Sequence, residues 1–434
     1  MVDRGSTLLR KAKEALMLSG KIVTPIVIDR GYGCWVYDVN GSKYLDFCSS
    51  IAVSLVGHCH PKVVESIKTQ AEKLIHYTLA AFLHEPAIEL AGKLLAISNK
   101  SGKVFFTNSG TEAVEGAIKI VKGFFKGSRP WIIGFVGGFH GRSIGSLSVT
   151  ASKSIQRRWF SPLLSCVEHV PYPYCYRCPF RLNSDSCSLH CISFIEDQVF
   201  GKLLDPSEVG CIVFEPIQGE GGCIVPPNNF WNEVEKLCRR HGILMVADEV
   251  QTGLGRTGKW LALEHWRVSP DITCLSKGLA SGLPLGAIIG NNDVMSLPEG
   301  THASTLGGNP VSCSSALATL SVIEEEGLLE NSRKVGEYML KRLGELKECY
   351  SMIGDVRGKG LLIGIELVDE KNKPLPEAQK ITIKECLKNG LLITGAGAST
   401  LRLTPPLNIS IEEGEVGLSI LDGVLRVLNK KFGK

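Results

Sequence analysis

The chain has 434 residues, 44% hydrophobic and 21% charged, which excludes a disordered or collagen-like protein. Lysine plus arginine number 48 and aspartate plus glutamate 44, for a net charge of +4. That near-balance gives no electrostatic case for nucleic acid or an anionic membrane as a partner.

At about 150 residues per domain, the length accommodates two or three domains. Residues 1–21 read as a short amphipathic helix without the apolar stretch of a signal peptide, so the cytoplasm is the expected location. No uncharged apolar run reaches the roughly 18 residues of a spanning helix. Residues 22–48 alternate apolar and polar, and the Asn40-Gly41 pair between two such runs signals a hairpin. Residues 61–75 have helical period with Pro61 at the start. From 100 to 300, apolar runs (103–107, 131–136, 210–216, 242–250, 272–276, 284–290) alternate with helical stretches such as 111–126 and 229–241. Continuous rather than alternating runs predict parallel strands covered on both faces. Residues 308–347 read as one or two long helices, followed by strands over 358–368 and 401–407 with a helix between. The predicted class is α/β: a large domain over 56–320 with a mostly parallel sheet, and a smaller α+β domain over 321–434 joined by the segment 1–55.

Three predicted strands end in residues that are costly at the mouth of a buried sheet: Glu215, Asp248 with Gln251 beyond, and Ser276-Lys277. Ligands of open α/β sheets bind outside the carboxyl ends of strands, so the three point to one shared site. Thr107–Lys119 follows a strand and opens a helix; Ser109 and Glu112 have capping-box spacing, and Gly110 permits close backbone approach. With Thr111, that helix start is a candidate phosphate cradle. A desolvated Lys277 is a candidate Schiff-base amine, and Asp248 a partner for a pyridinium nitrogen. Together these ask for pyridoxal 5′-phosphate, with Phe139 placed to stack on its ring. The string Gly253–Gly258 matches G-x-G-x-x-G, but Trp260 stands where a P-loop needs Ser or Thr, so it reads as a glycine-rich loop.

Four of the 15 cysteines fall at 175, 178, 187 and 191, inside a polar insertion over 171–198. Cys175, Cys178, Cys187 and Cys191 are candidate ligands for zinc or an iron–sulfur cluster, with free thiols as the alternative.

The strings YLDF and GHCHPKVVESI (44–67), FFTNSGTEAVE (105–115), GFHGRS (138–143), FEPIQGEGG (214–222), ADEVQTGLGRTGK (247–259), LSKGLASGLPLGA (275–287) and STLGGNP (304–310) closely resemble the class III (omega) aminotransferases of the fold-type I pyridoxal-phosphate enzymes. Within that family the resemblance is to 4-aminobutyrate aminotransferase, and it runs from about residue 22 to 430. It implies that Lys277 carries the cofactor and shuttles a proton, that Asp248 binds the ring nitrogen, and that Gln251 lies near the phenolic oxygen. Val250 and Phe139 would sandwich the ring, while Ser109, Gly110 and Thr111 hold the phosphate. Thr305 would reach the cofactor of a neighbouring subunit, so a homodimer or higher oligomer is implied. Arg142 matches a substrate-carboxylate clamp, Arg402 a second one, and Glu220 the glutamate that pairs with it. Glu215 would belong to the same wall and Ile51 to the substrate entrance, where Ser49-Ser50 replaces the family's frequent Gly-Gly. The implied reaction is ping-pong transfer from an ω-amino acid, 4-aminobutyrate before ornithine, to 2-oxoglutarate. The alternative within the fold is an amino-acid racemase or epimerase, which keeps every cofactor contact.

Overall fold

The uninterrupted apolar runs of the middle third build one seven-stranded sheet. A computed structural model describes residues 3–18 and 25–433. The strands of the central sheet are β1 (Gly102–Thr107), β2 (Trp131–Phe135), β3 (Val167–Val170), β4 (Val209–Phe214), β5 (Leu244–Asp248), β6 (Ile272–Leu275) and β7 (Gly286–Asn291). Their order across the sheet is β1-β7-β6-β5-β4-β2-β3. β4, β5 and β6 are buried at every residue, as a sheet covered on both faces requires. Alternate side chains divide between the faces. Val213, Val246 and Cys274 pack on the helix Gly110–Phe124. Phe214, Met245 and Ala247 pack on the helix Phe230–His241, where Trp231 stacks on Phe214 with ring centroids 4.1 Å apart.

Two features of this sheet differ from the sequence reading. β7 runs antiparallel to both neighbours, β1 and β6. The short connection from Leu275 to Gly286 cannot hold the dozen or more residues of a parallel crossover. β3 went unread because it is an edge strand in which Val170 alone is buried and Glu168-His169 interrupts the apolar run.

The N-terminal hairpin forms as the Asn40-Gly41 signal predicts. Trp35–Asp38 pairs antiparallel with Lys43–Asp46, and the Asp38 carboxylate accepts the amides of Asn40 and Ser42 and the Tyr44 hydroxyl. This sheet is completed by Leu391–Leu392, which lies parallel to Lys43–Asp46. The first helix spans Arg4–Ala15 and is capped by Asp3; residues 1–2 and 19–24 of the expected helix and strand lie outside the described residues. The long helical stretch after 308 is two helices, Pro310–Glu325 and Leu328–Cys349, divided at Gly327 with φ +62°. The C-terminal sheet is antiparallel, ordered Ile353–Lys359, Leu362–Leu367, Thr400–Leu403, Thr394–Ala396. A last helix, Ile411–Phe432, was not read from the sequence, although Ser410 and Glu413 form the capping box that marks it.

The glycine-rich loop Gly253–Gly258 is packed into the interior. Its Arg256 is wholly buried, and the guanidinium donates to the carbonyls of Leu361 and Pro405 and toward the Ser49 hydroxyl. One side chain thus ties this loop to the C-terminal sheet and the N-terminal segment. Arg256→Met leaves two buried acceptors without a donor, and urea unfolding should show a loss of about 3 kcal/mol; an unchanged midpoint would show those carbonyls to be satisfied elsewhere. Next to it, His265 Nε2 lies 3.0 Å from the Thr257 carbonyl, and burial with the charge of Lys359 lowers its pKa to about 4. The unfolded chain takes up this proton near 6.5, whereas the folded chain resists it, so stability rests fully on a neutral His265 above pH 6.5 and falls as pH drops toward 4. His265→Gln should flatten that part of the pH dependence of the unfolding midpoint.

Candidate functional site

β4, β5 and β6 run parallel, so Glu215, Asp248 and Lys277 all emerge at the same edge of the sheet. Asp248 is 4% exposed. One of its oxygens lies 2.7 Å from His140 Nδ1, and the other accepts the Val250 amide at 3.1 Å. Burial opposes charge on the His140 imidazole, but the hydrogen bond and charge of Asp248, with Glu215 beyond, prevail and hold its pKa above the ordinary histidine value. His140 is the main residue missed in the sequence. The motif GFHGRS displayed it, but nothing local indicates a partner 108 positions away.

Glu215 is buried. Its two oxygens accept the amides of Phe139 and Gly219, each at 2.9 Å. Burial pushes its pKa up to about 7, against the pull of His140. The carboxylate thus fixes the backbone of the Phe139 and Gly219 loops. Lys277 follows β6 in the left-handed region, with φ +40°, a strain of about 1 kcal/mol for a non-glycine residue. Burial draws the pKa of its ammonium below the ordinary lysine value, while Asp248 and Glu215 act the other way. The next residue, Gly278, approaches Leu55 so closely that a Cβ there would lie 2.2 Å from its side chain.

Helix Gly110–Phe124 points its start at this edge. Ser109 caps it by accepting the Glu112 amide, and the first amides have no helical acceptor. Val250 lies across the opening, and a Cβ on Gly110 would sit 2.8 Å from its Cγ1. The Thr111 hydroxyl bonds those of Ser143 and Ser146 at 2.7 and 2.6 Å, so it also ties this helix to the segment after Arg142. Gln251 is buried with its Oε1 unpartnered. Phe139 is half-buried, with the exposed Arg142 guanidinium 5.8 Å from its ring centroid.

On the opposite wall, Arg402 is 3% exposed. Its Nε donates to Thr394 at 3.2 Å, and its Nη1 lies 3.5 Å from Glu220. Ser49 to Ala52 all have φ between +38° and +65°, a left-handed turn without glycine that places Ile51 half-exposed. Asp46 holds its start by accepting the amides of Cys48 and Ser49. Thr305 is exposed, and the hydroxyl of the preceding Ser304 accepts the Asn108 side-chain amide at 3.4 Å.

The four clustered cysteines do not make the expected metal centre. Among the described residues no group of three or more His, Cys, Asp or Glu is gathered to hold a metal ion. All four are free thiols lining one surface hollow. Burial with the neighbouring thiols pushes Cys191 up to about 12. Cys175 lies on an exposed turn, whereas Cys191 is a buried residue of the helix His190–Phe194.

Residues 18–425 match the family model for aminotransferase class-III. The chain belongs to this family. It is 40% identical to an alanine/serine racemase from Pyrococcus horikoshii, covering 98% of this chain and 90% of the relative. It is 39% identical to a probable 4-aminobutyrate aminotransferase from Bacillus subtilis, covering 92% of each. A PLP-bound amine transaminase from an uncultivated Pseudomonas species matches its fold with a TM-score of 0.89 at 31% identity, covering 95% of this chain and 98% of that one. The class III cofactor is pyridoxal phosphate, and this site fits it. The free helix amides, the acid held by His140, the half-buried lysine and the side-chain amide of the buried Gln251 match the phosphate, ring nitrogen, aldehyde and phenolic oxygen of such a group.

Removing Asp248 strands His140 in a buried position. In the cofactor-free protein, Asp248→Ala should cost about 3 kcal/mol by urea unfolding, and Asp248→Asn, whose carbonyl still accepts from Nδ1, clearly less. Equal losses would mean that the pair is not what holds this corner.

Proposed function

We propose that the protein is a pyridoxal-phosphate-dependent aminotransferase that moves the amino group of an ω-amino acid, 4-aminobutyrate foremost, to 2-oxoglutarate. The observation that carries this reading is the buried Arg402 with Glu220 beside it, across from Lys277. An arginine that meets either an internal carboxylate or a substrate carboxylate lets one pocket serve two substrates of different charge. Arg142, exposed at the mouth, is the clamp for the other carboxylate.

Bound there, the cofactor supplies an electrophilic carbonyl and an electron sink. The protein does the rest. Asp248, oriented by His140, keeps a positive charge at the ring nitrogen. The amine of Lys277, with its lowered pKa, accepts and returns a proton at Nζ. Phe139 and Val250 close the two faces and exclude water. Exposed apolar side chains at Ile75, Phe82, Leu83 and Leu306 support self-association around Thr305, since Leu79 of the same segment lies against Gly308.

A second reading has an observation of its own. The alanine/serine racemase spans nearly all of this chain at 40% identity, against 39% for the aminotransferase. Racemisation would use Lys277 and Asp248 in the same way, with no acceptor. The two readings separate in one assay. Transfer needs a 2-oxo acid for continued turnover, and with 4-aminobutyrate it produces glutamate from 2-oxoglutarate. Inversion of an α-amino acid with no 2-oxo acid present would replace the first reading with the second. Lys277→Ala should reduce either activity at least 1000-fold, and Arg402→Met should raise KM for 2-oxoglutarate at least tenfold.

A further inference from the structure

Glu220 has a second cationic partner that the motifs did not reveal. Lys153 Nζ lies 2.5 Å from one Glu220 oxygen, whereas Arg402 Nη1 lies 3.5 Å from the other. The lysine sits just beyond the helix Ile144–Val149, 67 positions from Glu220. The Glu220 backbone is held independently, its carbonyl accepting the Gly397 amide at 2.8 Å. Its side chain is therefore shared between two cations, and the nearer one is not the arginine.

We propose that Lys153 is a positioning residue that sets substrate choice by drawing the Glu220 carboxylate off Arg402. This rests on the reading of Arg402 as a carboxylate site. The charge pattern gives the reason. Arg402 and Glu220 alone are neutral together, and an incoming carboxylate must displace an ion pair already made. With Lys153 the trio carries one net positive charge. A substrate carboxylate on Arg402 then completes an alternating row of lysine, glutamate, arginine and carboxylate, in which every charge has an opposite neighbour. Arg402 is buried, so its interactions are screened less than those of an exposed pair. Lys153 is 40% exposed along its side chain and Glu220 23%, so the lysine can follow the carboxylate as it moves.

The test uses glutarate, a dicarboxylate with no carbonyl or amine to react, and its dissociation constant by calorimetry on the holoenzyme and on the cofactor-free protein. Lys153→Met should weaken glutarate about tenfold, and Lys153→Arg about twofold or less. In kinetics the loss should fall on KM for 2-oxoglutarate more than on kcat. The double variant Lys153→Met/Glu220→Gln should recover glutarate binding, because without the Glu220 charge Arg402 no longer needs relief. A merely structural lysine would give no such recovery. Unchanged glutarate binding in Lys153→Met, or no recovery in the double variant, would overturn the proposal. Arg402→Met serves as the control: if it leaves glutarate binding intact, the carboxylate site itself is elsewhere and the underlying reading fails first.

Discussion

A carboxylate buried at the mouth of a parallel sheet is the constraint around which this molecule is arranged. Asp248 is costly at the end of β5 without a partner, and His140 provides one at 2.7 Å. That single contact fixes where the loop after β2 must lie. Glu215 then fastens the same loop through the Phe139 amide and fastens the Gly219 turn through its other oxygen. Two acids and one histidine thereby determine the course of two loops, and those loops carry Phe139, Arg142 and Glu220. The chemistry of the site and the path of the chain around it have a common electrostatic origin.

Small residues complete the arrangement by leaving space. Gly219 passes so near Gln251 that any Cβ would overlap its side-chain oxygen, and Gly110 opens the helix start beneath Val250. The turn at Ser49–Ala52 reaches a similar backbone path without glycine, at a cost of roughly 1–2 kcal/mol per left-handed residue. Asp46, the Thr404 carbonyl and Arg256 hold it there. This strained turn and the strained Lys277 face each other through Leu55 and Gly278, so the entrance and the reactive amine share one rigid support.

The parts of this design written in short runs of sequence were legible from it. Buried strands announce themselves by uninterrupted apolar residues, so a charge at their ends stands out. Glu215, Asp248 and Lys277 were found that way, as was the helix start at Ser109-Gly110. What escaped depends on distant pairing. The charge on Glu215 is visible in the sequence, but its two amide partners, Phe139 and Gly219, are not. Cysteine spacing shows that four thiols can be near one another, but it does not show that a helix buries one while another sits on an exposed turn. β7 looks like its parallel neighbours because burial, which writes the pattern, is indifferent to direction. Lys153 is an ordinary lysine until the fold carries Glu220 to it.

The pairing of Leu391–Leu392 with Lys43–Asp46 has a consequence for how the chain is made. The first sheet waits for a strand about 345 residues further along. At ribosomal rates of about 5–20 residues per second, the N-terminal hairpin emerges tens of seconds before its last neighbour exists. Throughout that interval its edge is open to any other extended chain. Non-local closure of this kind also slows folding after release. Until that neighbour is made, the charges of Lys43 and Asp46 are what the hairpin itself has to keep that edge unpaired.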